Sequence, residues 1–236
     1  MRTMIGRPVF EPLTGCPGFL VVIITSLDAT EKVAYIICYI KRSNQRAIIM
    51  ANRLYTVEPP YSQEVDTLLS RYPKPNGYLL KLFRVFANST RFLRKGVLDL
   101  LDRDSPLAMR HRELVILRTC ANNDCEYEWG VHVAGFAEHV QFTEEQIKAT
   151  RLGAPDDACW NSEESTLLLA VDELCNSACL RAETRDRFQS LFTVEQQLEI
   201  FALCGNYHTV SFVANMAEIE GEPFGVRFPS ALDKGD

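Results

Sequence analysis

The sequence predicts an all-α domain that follows a short N-terminal segment of β-prone composition. Two stretches within the first 40 residues are dense in Val, Ile, Tyr and Phe, which suits short strands. After Pro59-Pro60 the apolar spacing becomes helical almost without interruption. Residues 1–49 therefore form a predicted N-terminal extension, and residues 50–236 a predicted helical domain.

The composition narrows the classes of protein to be considered. With 47% hydrophobic and 24% charged residues, the chain has the proportions of an ordinary globular protein. A net charge of −6 argues against a broad basic surface for nucleic acid or anionic lipid. The apolar run at residues 19–27 is far shorter than the ~20 residues of a membrane-spanning helix. We expect a cytoplasmic protein that binds neither nucleic acid nor membrane and whose eight cysteines are reduced.

The N-terminal extension differs from the rest of the chain in charge. Residues 1–49 contain six Lys or Arg and three acids, a net of +3, so the remainder carries −9. A two-stranded piece is marginal in water by itself. Two interpretations follow: the extension pairs with another chain or is loosely held, or Met50 is the natural start of the protein.

The helical domain is divided by N-cap residues and chain breaks. Good capping boxes start three of the helices, namely Thr143 with Gln146, Asn161 with Glu164, and Thr193 with Gln196. The predicted helices span residues 62–72, 78–86, 89–101, 106–121, 124–140, 144–152, 162–178, 180–191 and 194–221.

The most informative stretch follows the predicted helix 106–121. If Asn123 caps the next helix and Glu126 completes the capping box, Cys125 lies in its first turn, where the helix dipole favours a thiolate. Cys125, Glu128 and His132 have i, i+3, i+7 spacing and therefore share one helix face.

The preceding helix can bring Glu113 back toward this face across a short turn. A carboxylate beside an imidazole fixes its tautomer and raises its basicity, as general acid–base chemistry requires. The alternative from spacing alone is that Cys125 is a small buried hydrophobic residue and that Glu128 and His132 are a surface pair.

These residues resemble the signature of the carboxymuconolactone decarboxylase superfamily, which includes alkylhydroperoxidase D (AhpD). That signature is a Glu, a Cys-x-x-Cys twelve residues later, and a His four residues after the second Cys. Glu113, Cys125 and His132 match it, whereas Glu128 replaces the second cysteine. The resemblance covers residues 59–223 and implies an AhpD-like bundle of paired helical hairpins that assembles as a trimer or hexamer.

The missing cysteine separates the activities that the resemblance implies. AhpD-like peroxide reduction resembles a relay in which one thiol attacks and a second resolves, so Cys125 needs another partner, for which Cys120 and Cys204 are candidates. A Glu and a His without a dithiol instead resemble the decarboxylase branch, which uses no cofactor. There His132 would carry the proton, with Glu128 or Glu113 as its partner.

A carboxylate substrate also needs an anchor. Arg118 and His208 are the candidates, although Arg118 is equally suited to a structural ion pair. Tyr207 and His208 form a polar pair on an otherwise apolar helix, and such a pair must find partners, which an active-site pocket would supply. Trp129 suits a pocket wall or a subunit contact.

We therefore predict an enzyme of the carboxymuconolactone decarboxylase type, acting on a small carboxylate, lactone or carbonyl compound. The first alternative is a thiol peroxidase that uses Cys125. The second is a family member without turnover that binds a small molecule. No cofactor or metal is expected.

Overall fold

A computed structural model describes residues 53–230. The predicted β-prone extension and the domain boundary after residue 49 lie outside the described residues and stay predictions. Within the described part of the chain all regular structure is helical, which confirms the predicted all-α class.

The described chain contains nine α-helices and one 3-10 turn, Pro75–Gly77, between the first two. The helices are α1 Gln63–Leu69, α2 Lys81–Phe86, α3 Thr90–Lys95, α4 Met109–Asn122, α5 Glu126–Phe136, α6 Glu144–Leu152, α7 Ser162–Ser177, α8 Ala182–Leu191 and α9 Val194–Met216. None of these helices combines the length and the apolar character needed to cross a bilayer.

The predicted capping boxes are all present. Thr143, Asn161 and Thr193 each accept a hydrogen bond from the backbone N–H three residues on, and the Gln or Glu at that position bonds back. These reciprocal bonds satisfy backbone groups that the first helical turn leaves without partners. The sequence therefore predicted correctly where α6, α7 and α9 begin.

The predicted helix 89–101 was too long, because α3 ends at Lys95. In the segment 96–108 that follows, the Leu98 N–H donates to the Asn206 side chain, the Asp102 carboxylate accepts from the Asp104 N–H, and the Ser105 hydroxyl accepts from the Leu107 N–H. Such short side-chain to backbone bonds compete with a helix. The next helix starts accordingly at Met109, three residues later than predicted.

Helix α4 is the centre of the fold. Its residues 112–121 are all buried, and α5, α6, α7 and α9 pack around it. A helix that is buried on every side belongs in the middle of a bundle. Because charged residues in this stretch are also buried, each of them must find its partner inside the protein.

The chain after α9 crosses the outer side of α5. The Val226 N–H donates to the Gly130 carbonyl oxygen at 3.2 Å, and the Phe228 N–H donates to the Glu126 carboxylate. A side chain at position 130 would place its Cβ only 2.1 Å from the Val226 oxygen. Glycine at this position is what lets the two backbones approach.

A buried acid–base cluster at the centre of the bundle

Helices α4, α5 and α9 meet around the imidazole of His132. Helix α4 supplies Glu113, α5 supplies Glu128 and His132, and α9 supplies Tyr207. All four residues are buried, with His132 only 4% exposed. The structure thus brings together three predicted catalytic residues and one predicted substrate-binding residue, and it places them inside the protein rather than on its surface.

Both ring nitrogens of His132 face oxygen atoms. Nδ1 lies 2.7 Å from Glu113 Oε2. Nε2 lies 3.1 Å from Tyr207 Oη and 3.4 Å from Glu128 Oε1. The ring also stacks on Phe136, with ring centroids 5.2 Å apart. The imidazole is therefore held in one orientation from both ends and from one face.

The charges around the ring keep His132 protonated. Burial by itself would lower its pKa, but the Glu113 and Glu128 carboxylates outweigh burial and raise the pKa to about 10. At neutral pH the ring is consequently an imidazolium with an N–H on each nitrogen. The Nδ1–H donates to Glu113, and the Nε2–H points toward Tyr207 and Glu128.

Several polar atoms in this cluster have hydrogen-bonding capacity left over. Glu113 Oε1, Glu128 Oε2, Arg112 Nε and Ser211 Oγ are buried and find no hydrogen-bond partner among the described residues. Arg112 Nε lies 3.7 Å from Glu113 Oε1, too far for a direct hydrogen bond. Because an unsatisfied buried polar atom is costly, these atoms have capacity to bind a water molecule or a polar ligand.

The cluster has three further members that sequence patterns did not predict, namely Arg112, Phe136 and Ser211. Arg112 directly precedes Glu113, and adjacent helical residues point about 100° apart, so spacing gave no reason to join them. Ser211 lies one turn after Tyr207 on an apolar helix, which was a readable signal.

The expected activation of Cys125 by a helix start is wrong. Asn123 ends α4, and Cys125 itself is the N-cap of α5, without a capping box. Burial raises the pKa of the Cys125 thiol to about 11, although the Glu128 backbone N–H donates to its sulfur and opposes the rise. Cys125 is therefore a protonated thiol at neutral pH.

The predicted anchor Arg118 is committed to structural contacts. Its guanidinium makes two bonds to the Asp172 carboxylate, at 2.6 and 2.7 Å, and further bonds to carbonyl oxygens at the end of α6. This bidentate pairing corresponds to the structural ion pair that the sequence left open.

Two further predicted substrate-binding residues lie away from His132. The indole N–H of Trp129 donates to Thr150 Oγ1 at 2.9 Å, so this buried side chain joins α5 to α6. His208 donates from Nδ1 to the Cys204 carbonyl oxygen and lines a separate pocket of about 840 Å³ between α7, α8 and α9. Residues 207 and 208 point apart because they are neighbours on one helix.

In residues 53–230 no three His, Cys, Asp or Glu side chains converge in a way that could hold a metal ion. The groups of this cluster are carboxylates, an imidazolium, a phenol and thiols. Such a set can donate, accept and relay protons.

The match to one family model agrees with the motif. The model of the carboxymuconolactone decarboxylase family matches residues 90–173, a segment that contains Glu113, Cys125, Glu128 and His132. The predicted resemblance to this superfamily is thereby confirmed over that segment. A similar solved structure is the crystal structure of a protein of unknown function from Agrobacterium tumefaciens, described as a proposed antioxidant defence protein AhpD. It has 20% identity and a TM-score of 0.47 over 51% of this chain and 82% of that chain. No curated protein gives a significant match.

Proposed function

We propose that this protein is a cofactor-free enzyme that moves a proton onto or off carbon in a small carboxylate, lactone or carbonyl compound, with or without loss of carbon dioxide. The observation that carries the proposal is the His132 imidazolium, held between two buried carboxylates with a pKa raised to about 10. A group that is protonated at neutral pH and fixed in place is suited to act as a general acid.

His132 is the proposed catalytic residue. When a carboxylate next to a carbonyl leaves as carbon dioxide, its bonding electrons form an enolate, and the carbon of that enolate must receive a proton. The Nε2–H of His132 would supply this proton, because an enolate carbon is a far stronger base than an imidazole. Tyr207, 3.1 Å from Nε2, would hydrogen-bond to the developing oxyanion.

The two glutamates have different proposed tasks. Glu113, which binds Nδ1 at 2.7 Å, orients the ring and stabilises its charge. Glu128 lies 3.4 Å from Nε2 and has a second oxygen without a hydrogen-bond partner in the described chain. After each turnover the neutral imidazole regains its proton from water, and the Glu128 carboxylate favours this step by stabilising the imidazolium that forms.

A thiol peroxidase that depends on Cys125 alone is less well supported. The thiolate is the reactive form of cysteine, and burial raises the pKa of this thiol to about 11. The thiol is also fully buried. The acid–base hypothesis therefore has the better physical support. The peroxidase hypothesis differs from it in predicting that activity is lost in Cys125→Ser.

The experiment is a screen of β-keto acids and γ-lactone carboxylates in D2O. Carbon dioxide release and deuterium incorporation at carbon are followed by NMR for the wild type and for the variants His132→Gln, His139→Gln and Cys125→Ser. His139 is the matched control, because it is an exposed histidine just beyond the same helix. General acid–base groups contribute about 10²–10⁴-fold to a rate, so His132→Gln should lose about that factor while the other two variants retain activity.

Three results would reject the proposal. Activity that survives in His132→Gln removes the imidazole from the mechanism. Activity that disappears in Cys125→Ser supports the thiol alternative. If saturable binding of these compounds occurs without deuterium incorporation or carbon dioxide release, the chain is a binding protein without turnover.

The homo-oligomer implied by the resemblance also stays a proposal. One face of α9 exposes Val194, Leu198, Phe201, Phe212 and Met216, and residues 200–217 contain no Asp, Glu, Lys or Arg. The first three of these residues, and again the last two, are three or four residues apart, which is typical of a helix–helix seam and supports association with a second copy. Light scattering after size-exclusion chromatography, compared with Phe212→Glu, tests this, and a wild-type monomer would refute it.

A further inference from the structure

The turn between α4 and α5 has the hydrogen bonds of a Schellman motif. The Cys125 N–H donates to the Cys120 carbonyl oxygen at 2.9 Å, and the Asp124 N–H donates to the Ala121 oxygen at 3.2 Å. Asp124 has the positive φ, 50°, that this motif requires at its C′ position. Cys120 and Cys125 therefore occupy the C3 and C″ positions, whose side chains commonly touch in this motif.

The surroundings of the two thiols are consistent with that contact. Both cysteines are 0% exposed. A charged Cys125 thiolate would raise the pKa of the Cys120 thiol, and the Ser211 hydroxyl lies near both sulfur atoms. A bond between Cys125 N and Cys120 O also brings their Cα atoms close, as a disulfide needs. Both residues are free thiols in this structure.

We propose that Cys120 and Cys125 form a redox modification site, in which a small hydroperoxide converts the two thiols into a reversible disulfide. The pair is not the Cys-x-x-Cys of the motif, since Glu128 stands at that second position. It joins the end of α4 to the start of α5, one turn from Glu128. This inference does not depend on the proposed acid–base activity.

The chemistry balances with hydrogen peroxide as the oxidant. The Cys125 sulfur attacks one peroxide oxygen, the O–O bond breaks, and the departing hydroxide takes a proton to become water. The Cys120 sulfur then attacks the resulting sulfenic acid and displaces its oxygen as a second water. Two thiols lose two electrons and two protons, and one peroxide becomes two waters.

The proton of Cys125 has a nearby acceptor in Glu128. The Glu128 backbone N–H already donates to the Cys125 sulfur, and its carboxylate is close enough to influence both thiols. Because the thiolate is scarce at neutral pH, oxidation should be slow there and faster in alkaline solution. Cys204, the other candidate partner, accepts a hydrogen bond from Thr119 at 3.8 Å and lies beside Cys175 instead.

The test is peptide mass spectrometry of the full-length protein. Trypsin cuts after Arg118 and Lys148, so Cys120 and Cys125 fall on one peptide that contains no other cysteine. The native protein is treated with hydrogen peroxide at pH 8, alkylated under denaturing conditions and digested. We expect this peptide to lose two hydrogen atoms, to resist alkylation, and to accept two alkyl groups again after treatment with dithiothreitol.

Variants show whether the pair is specific. In Cys120→Ala the same treatment should leave Cys125 alkylatable or carry it to a higher oxide. In Cys204→Ala, which removes another buried cysteine, the disulfide should still form. The proposal is overturned if the wild-type peptide remains doubly alkylated while the exposed Cys179 is oxidised. It is also overturned if Cys125 in the wild type is oxidised to the sulfinic acid without a disulfide.

Discussion

The contact between Gly130 and the C-terminal segment gives the sharpest structural prediction. Alanine at position 130 would bring its Cβ to 2.1 Å from the Val226 oxygen. Carbon–oxygen contacts normally lie near 3.3 Å, so the segment must retreat by about 1 Å. That movement breaks the bond from Val226 N–H to the Gly130 oxygen and loosens Phe228, which packs on Trp129.

The expected cost follows from those contacts. One lost hydrogen bond is worth about 1 kcal/mol, and loosening one aromatic side chain costs about 1–2 kcal/mol. Up to about 1 kcal/mol of stability is regained, because alanine has a higher helix propensity than glycine. Gly130→Ala should therefore lower the free energy of unfolding by about 1–2 kcal/mol.

Gly135 on the same helix is the matched control. A Cβ at position 135 would meet nothing within 4 Å among the described residues. Gly135→Ala should therefore be neutral or stabilising by up to about 1 kcal/mol. Urea denaturation followed by circular dichroism measures both variants. If Gly130→Ala is as stable as Gly135→Ala, the inferred packing of the C-terminal segment on α5 is wrong.

Three further predictions concern the buried charges and the thiol. Glu113→Gln should lower the pKa of His132 by about 1–3, because an opposite charge at 2.7 Å is lost. NMR titration measures this pKa, and an equal shift in the control variant Glu138→Gln would contradict a specific contact. Arg118→Ala should lower the free energy of unfolding by about 3 kcal/mol, since it leaves Asp172 without its bidentate partner. A raised KM of this variant at unchanged stability would instead indicate that Arg118 anchors the substrate. Alkylation of Cys125 by iodoacetamide should accelerate about tenfold per pH unit between pH 7 and 10, whereas a flat profile in a mass-spectrometric assay would indicate a thiolate already present at neutral pH.

Local signals explain which parts of the fold could be predicted from the sequence. The capping boxes at Thr143, Asn161 and Thr193 act within four residues, and the helices begin where they predict. Just beyond the end of α3, Leu98 exchanges hydrogen bonds with the side chain of Asn206 on α9, a long-range contact that helix propensity does not reveal. Asn123 was read as a helix start although it ends α4, because the same residue types serve both in turns and as caps.

From the sequence, only those members of the candidate site that are close along the chain could be placed together. Glu128 and His132 were joined by their spacing, and Glu113 by a short turn. Tyr207 comes from 75 residues farther along the chain, and its contact with His132 depends on how α9 packs against α5. The sequence left open whether Arg118 anchors a substrate or makes a structural ion pair, because its partner Asp172 lies on α7, 54 residues farther along the chain.

The protonation of His132 links the cluster to stability as well as to chemistry. Its pKa in the folded protein, about 10, exceeds the ordinary value of 6.5. The stabilisation from its charge is therefore fully present below pH 6.5, and it is lost as the pH rises through 10. Unfolding midpoints should decline over that window, and His132→Gln should flatten the decline.

The most direct test of the account is the number of protons on the His132 ring. Nitrogen-15 NMR of histidine-labelled protein between pH 6 and 11, assigned with His132→Gln, reports both ring nitrogens. The account predicts two N–H groups at pH 8 and loss of one near pH 10. A ring that titrates near pH 6.5 would be neutral under working conditions, and the proposed general acid would then be absent.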